Sequence, residues 1–270
     1  GETRDEPEEG SAALRREQGG GAFWAPRGDW RGRIVLAPTD RDEHDALMNE
    51  AREEGVAQRC VMAPRGANPW AIAQGAEAVR AGAGHELALV AALAGARLRI
   101  IGRGAWAGVE RSESALVGAV RCGLIGVGRD PFDGRALSLV EVVAMLGAWR
   151  RGIEANRDFD AVQGVARWKR VTMAPMLWDG GGTVPFGRHG ARVLGWRARM
   201  GDGPLWGEVE DGFIRSVGLG ARCVPPLSVV VDRVPHIDPA RESGLERILN
   251  APMGGDLIAR AAALRLSLIH

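Results

Sequence analysis

The chain has 270 residues, enough for one large or two small domains around a sizeable core. Its 35 basic and 34 acidic residues leave a net charge of +1, which removes any general electrostatic case for nucleic acid or an anionic membrane. Cys60, Cys122 and Cys223 are odd in number and far apart, which argues against a disulfide framework and for a reducing, cytoplasmic compartment. Basic character is almost wholly arginine, since Lys169 is the sole lysine, and tyrosine is absent. No apolar run is long enough to span a bilayer, and the acidic start is unlike a signal peptide.

Residues 1–21 are acidic and then glycine-rich, and read as a flexible tail. Residues 22–128 alternate short apolar runs with helical patterns. Strands are expected at Arg33–Ala37, Arg59–Ala63, Ala76–Arg80 and Leu98–Ile101. Helices are expected over Asp40–Gly55, from Asn68-Pro69-Trp70, and over His85–Leu93. This alternation predicts a parallel, Rossmann-like sheet. At the turn before His85, a helix N-terminus suits an anion, so His85 and Glu86 are candidate nucleotide contacts. The alternative is a first-turn glutamate beside an exposed histidine, with no ligand.

Residues 129–185 read as a helical linker. Asp130–Arg135 is a turn. Ser138 with Glu141 forms a capping box that opens a helix running to about Asn156. A second helix is expected from about Asp160 to Met173, and Trp178–Gly182 is a loop. Residues 186–270 restart the α/β pattern with strands at Val193–Trp196, Trp206–Glu210 and Leu227–Val231. A turn follows at His236–Pro239, and Ser243 with Glu246 opens a capped helix. Leu257, Ala261, Leu264 and Leu268 have the spacing of a final helix that stops abruptly, as though a larger module continued past His270.

The strand at Trp206–Glu210 delivers adjacent carboxylates, Glu210 and Asp211, followed by Gly212, Arg215 and Ser216. Carboxylates at the end of a strand suit the rim of a cleft, where open α/β sheets bind ligands. The plainer reading is a polar turn whose glycines serve backbone geometry. No cysteine, histidine or carboxylate spacing suggests a metal site.

The stretch Val209–Gly220, then Pro225–Asp232, then Asp238-Pro239 with Ser243 and Leu245-Glu246, resembles the bacterial capsule-polysaccharide β-Kdo transferases. Asp130–Arg135 and the Trp149–Arg157 helix are similar to the segment between that family's two tandem modules. The resemblance covers most of the chain from Pro64 onward. It implies two Rossmann-like (GT-B-like) α/β domains joined by a helical linker, with CMP-Kdo as donor, a lipid-linked acceptor and no further cofactor. It implies work at the inner face of the inner membrane, with peripheral membrane contact and the capsule export machinery as a partner. It makes Asp211 the catalytic nucleophile or base and Glu210 its neighbour. Gly212, Arg215, Ser216, His85 and Glu86 then bind substrate or nucleotide. A carboxylate pair also permits one pKa to be pushed away from the other. The chain departs from the family in lacking a His-Pro pair and in replacing a serine-rich stretch by Ala83–Ala88. The order, nucleotide-like half first and acid-bearing half last, implies that the partner half of Asp211 lies beyond His270. The departures keep open a different class of function: a non-catalytic assembly or export partner with a degenerate transferase fold.

Overall fold

In a computed structural model, the described residues are 6–124, 128–131, 134–182, 186–187, 189–200, 205–214, 222–233, 240–255, 257–259, 261–262 and 265. They form two compact units, residues 1–156 with 179–182, and residues 157–178 with 183–270. Residues 129–185, read above as a linker, are thus shared between the two.

The first unit is built on β1 (Ile34–Ala37), β2 (Cys60–Met62), β3 (Ala78–Gly82) and β4 (Leu98–Ile101), in the order β2-β1-β3-β4. All neighbours are parallel. Helices α2 (Arg41–Glu53), α3 (Pro69–Gly75), α4 (Glu86–Leu93) and α5 (Glu113–Leu124) alternate with the strands. This is the expected βα alternation, and β1 and β3 are buried along their whole length, as a sheet covered on both faces requires. The caps follow the sequence: Asp40 accepts from the Glu43 N–H, and Asn68 accepts from the N–H groups of Trp70 and Ala71. Short antiparallel β5 (Gly128–Arg129) and β6 (Ala136–Leu137) flank the Asp130–Arg135 turn, where Gly134 has φ 75°. The Ser138–Glu141 capping box then opens α6 (Leu139–Ala155).

The expected flexible tail is corrected from Glu6 onward. Residues Glu6–Glu17 form helix α1, with Ser11, Ala13 and Leu14 buried. Composition hid it because α1 docks through small residues. A Cβ at Gly10 would lie 2.6 Å from Leu139 Cδ2, so a larger residue there would require the Leu139 side chain to shift. The link continues through Glu17, whose carboxylate sits where a Cβ on Gly147 would be, pairs with Arg151, and accepts from Arg16 Nε at 3.0 Å. Residues 18–25 are fastened too: Asn68 Nδ2 donates to the carbonyls of Phe23 and Ala25, and Trp70 Nε1 to that of Gly19.

Burial pushes the Glu17 carboxyl upward, but the hydrogen bonds and charges of Arg151 and Arg16 outweigh it and hold its pKa below the usual 4.5. A depressed folded-state value adds stability above the unfolded-state pKa, and that stability is lost as pH falls through the folded value. Protection of the α1 amides, relative to their intrinsic exchange rates at each pH, should therefore fall between neutral pH and pH below about 4, and less so in Glu17→Gln. An equal loss of protection in both proteins would show that Glu17 does not anchor α1.

The second unit contains β7 (Ala161–Gln163), α7 (Arg170–Met176), β8 (Val193–Gly195), β9 (Gly207–Asp211), β10 (Val229–Asp232) and α8 (Gly244–Asn250). The sheet order is β10-β9-β8-β7, with β7, β8 and β9 parallel and β10 antiparallel to β9. The expected helix over Asp160–Met173 is corrected to strand β7, a 3-10 turn at Arg167–Lys169, and the start of α7. Helical spacing of Val162, Val165 and Ala166 misled, because Ala161 and Val162 are fully buried against Leu194 and its neighbours. A short apolar run is ambiguous between buried strand and helix, and the glycine at 164, with φ 76°, was the sign of a strand end. Ser243 and Glu246 form the second expected capping box. The turn at 236–239 lies outside the described residues, as do Leu264 and Leu268.

Candidate active site

In the second unit, the carboxyl ends of three parallel strands bring one cation, one carboxylate and an indole together. Asp211 is the last residue of β9, Trp196 follows β8, and Lys169 follows β7 on the 3-10 turn. Along β9, side chains alternate between faces. Val209 is completely buried in the core with Val162, Leu194 and Met173, and Asp211 continues its face to the sheet's rim. There Lys169 Nζ donates to Asp211 Oδ1 at 2.9 Å and Oδ2 at 2.8 Å. The side chains are only 9% and 15% exposed. The same ammonium lies 3.7 Å from the ring centroid of Trp196 and 5.3 Å from that of Trp168. An ammonium has three donor hydrogens, so two on the carboxylate and one toward the indole face account for all of them.

Glu210 belongs to the other face of β9, with Glu208. Glu208 is buried and accepts from Arg197 Nε at 2.5 Å. Period-two geometry thus sends the adjacent acids to opposite faces of β9. Lys169 is a partner of Asp211. Gly212 is buried, and its need for glycine is spatial: a Cβ there would come 2.2 Å from Ser228 Oγ and 2.9 Å from its carbonyl carbon. The Gly212 N–H donates to the Ser228 carbonyl at 2.9 Å, and Ser228 Oγ donates to the Ile214 carbonyl at 2.9 Å. The loop after Asp211 is thus sewn to the entry of β10. Arg215 and Ser216 lie outside the described residues.

Lys169 was the residue that sequence reasoning passed over, placed inside a connecting helix. Its signal was its rarity, a single lysine in a chain that otherwise uses arginine. Its compact ammonium sits between the Trp196 indole face and the Asp211 carboxylate.

His85 and Glu86 lie in the first unit, at a cavity of about 230 Å3 lined also by Pro64, Arg65 and Pro69. His85 is half-buried and caps α4, its Nδ1 accepting from the Leu87 N–H at 3.1 Å. Burial holds the imidazole below its usual 6.5, against the pull of Glu86 and Glu43, which keeps Nδ1 an acceptor. That nitrogen is therefore occupied by its own helix. At the carboxyl ends of β3 and β4 the space is filled by Glu43. A Cβ on Gly82 or Gly102 would overlap its carboxylate, and Oε2 accepts from Thr39 N at 2.7 Å and Thr39 Oγ1 at 2.6 Å. Among the described residues no group of three or more His, Cys, Asp or Glu stands close enough to hold a metal.

Three curated relatives match part of the chain. A lipopolysaccharide-processing protein, LpsZ, of Rhizobium meliloti is 35% identical over 116 residues, covering 40% of this chain and 26% of the relative. The capsule polysaccharide modification protein LipA of Neisseria meningitidis is 33% identical over 146 residues, covering 44% of this chain and 20% of the relative, in both serogroup A and serogroup B strains. The chain is related to capsule and lipopolysaccharide proteins. It spans about a quarter or less of the length of these relatives. No family model and no solved structure matches it. No helix among the described residues is long and apolar enough to cross a membrane.

Proposed function

We propose that the protein is a capsule polysaccharide glycosyltransferase that moves Kdo from CMP-Kdo to a lipid-linked acceptor, with a two-domain GT-B arrangement in the complete enzyme. The observation that carries this reading is Asp211, held by Lys169 at the carboxyl ends of three parallel strands, where open α/β sheets take their ligands. The relatives' names bring the capsule context. In the proposed first step an Asp211 oxygen attacks the anomeric carbon, the bond to the CMP phosphate breaks, and CMP leaves with the electron pair. In the second, an acceptor hydroxyl attacks the same carbon, the Asp211 ester bond breaks, and the hydroxyl proton passes to solvent or base. Two inversions give net retention. Lys169 holds the carboxylate in place through both of its oxygens. A carboxylate has about four acceptor positions, so two bonds to one ammonium leave it lone pairs for attack. Gly212, Arg215 and Ser216 follow Asp211 on the loop that would meet the donor, Arg215 suiting its carboxylate or phosphate. Glu210, on the opposite face, is assigned a supporting role in that loop. Contact with the inner membrane face and the capsule export machinery belongs to the same proposal.

The test is incubation with CMP-Kdo and a Kdo-primed glycolipid, read by mass spectrometry. Wild-type protein is expected to extend the acceptor, and Asp211→Asn to lose that turnover. Retained turnover in the variant would reject the role of Asp211. A specific observation favours a second reading, a non-catalytic partner in capsule assembly. Glu43 puts a negative charge in the crevice of the first unit, where a nucleotide phosphate would otherwise go. Absence of product together with absence of CMP binding by calorimetry would favour that reading.

A further inference from the structure

The first unit has a second polar cavity, remote from the carboxyl ends of its strands. It measures about 260 Å3 and is lined by Arg59, Arg80, Arg97 and Arg99, with Glu54 and Glu77. Arg80 and Arg99 are register partners on β3 and β4, so two guanidinium stems stand side by side on one face of the sheet. Like charges in that relation repel and call for anionic cover. Intramolecular carboxylates supply part of it. Glu77 pairs with Arg59, Glu54 with Arg80, and Glu50 with Arg99 at 3.3 Å. The cover is incomplete in two places. Arg97 is exposed and has no ion-pair partner among the described residues. Arg80, whose side chain is 9% exposed, has a buried Nη1 with no hydrogen-bond acceptor. A buried guanidinium donor left unmade is costly, and native structures rarely keep one without a reason.

The carboxylate over Arg80 belongs to Glu54, whose side chain is 55% exposed and stands at the C-cap of α2. A surface carboxylate at a helix end moves at little cost. When Glu54 swings out, Arg80 gains an open fork facing the cavity, flanked by Arg59, Arg97 and Arg99. A guanidinium fork matches an oxyanion with two parallel hydrogen bonds. The volume is below that of drug-sized pockets and suits a small, highly charged group.

We propose that this cavity binds a phosphate or pyrophosphate group, with Arg80 as the buried anchor, Arg97 as the outer contact and Glu54 as the displaceable competitor. The site rests on none of the reasoning about Asp211 and lies in the other unit.

The experiment measures binding to the full chain at low salt with two probes: inorganic pyrophosphate by calorimetry, and phosphatidic acid vesicles against phosphatidylcholine vesicles by sedimentation. Arg97→Ala should weaken binding by roughly tenfold, the loss of one charge-assisted contact of about 1.5 kcal/mol. Glu54→Gln, which removes the competing charge, should tighten it. A merely structural Glu54–Arg80 pair would give no such gain. Arg111→Ala, exposed and outside the cavity, should change nothing. Pyrophosphate binding with this pattern supports a soluble phosphate ligand, and vesicle binding with the same pattern supports a lipid phosphate. Binding of neither probe, or binding indifferent to Arg97 and Glu54, overturns the proposal.

Discussion

Lys169→Met is expected to destabilise the second unit by roughly 3–5 kcal/mol, because it removes the cation from a carboxylate that is nearly enclosed. Lys169 and Asp211 are 9% and 15% exposed, so solvent does little to screen the pair, and both carboxylate oxygens lose a donor together. Methionine keeps the length and apolar stem of lysine, so the effect isolates the charge. Asp211→Asn should cost a comparable amount for the opposite reason, an ammonium that keeps the Trp196 and Trp168 rings and one amide oxygen but loses its counter-charge. The decisive measurement is a double-mutant cycle by urea denaturation. Lys169→Met combined with Asp211→Asn should cost less than the two single changes together, with a coupling of about 1–3 kcal/mol. Additivity within about 0.5 kcal/mol would mean the two side chains do not depend on each other, and the account of Asp211 as a lysine-held carboxylate would fall. Turnover in the Lys169→Met protein, measured well below its unfolding transition, then separates a positioning role from a purely structural one. A lower kcat with donor KM unchanged is expected, since lysine acts on the carboxylate and not on the sugar.

The parts of the fold that were legible in the sequence share a physical feature: each carries its own local instruction. Ser138 with Glu141 and Ser243 with Glu246 close capping boxes that need only four residues to form. Asn68-Pro69 fixes the first turn of α3 in the same way. The strands Leu98–Ile101 and Ile34–Ala37 are short apolar runs between glycine- and proline-rich turns. Where the instruction was tertiary, the sequence misled. Helix α1 is held by close approach of Gly10 to Leu139 and by Glu17 in a notch left by Gly147, over a hundred residues away. Strand β7 owes its state to Leu194 and Val209 around Val162. The candidate site divides along the same line. Asp211 announced itself because carboxylates followed by glycine at the end of an apolar run are a local pattern. Lys169 announced only that it was unusual, since the contact that gives it meaning spans 42 residues. Glu210, the sequence neighbour of Asp211, takes the other face of β9 by alternation, a rule available from sequence once the strand extends by one residue to Asp211.

Gly212→Ala is expected to destabilise the second unit by about 1–3 kcal/mol and to disturb the loop that begins at Asp211. A glycine after the acids suggests backbone freedom, but Gly212 has no positive φ, so alanine meets no torsional barrier there. The obstacle is contact. The new methyl would lie 2.2 Å from Ser228 Oγ and 2.9 Å from the Ser228 carbonyl carbon. The hydroxyl can rotate away only by giving up its bond to the Ile214 carbonyl, and the backbone can recede only by lengthening the Gly212 N–H bond to the Ser228 carbonyl. Either response loosens the seam between the Asp211 loop and β10. The companion variant is Ser228→Gly, which removes the Oγ and Cβ nearest the methyl and leaves only the backbone carbon at 2.9 Å. Ser228→Gly alone costs little more than its hydroxyl bond and strand entropy, about 1–2 kcal/mol. In the Gly212→Ala, Ser228→Gly double variant, much of the Gly212→Ala penalty should disappear, because the overlap with Ser228 Oγ no longer exists. Full additivity of the two changes in urea denaturation would place the role of Gly212 elsewhere. Non-additivity would make this glycine a spacer that lets β10 close on β9 and so fixes where Asp211 stands.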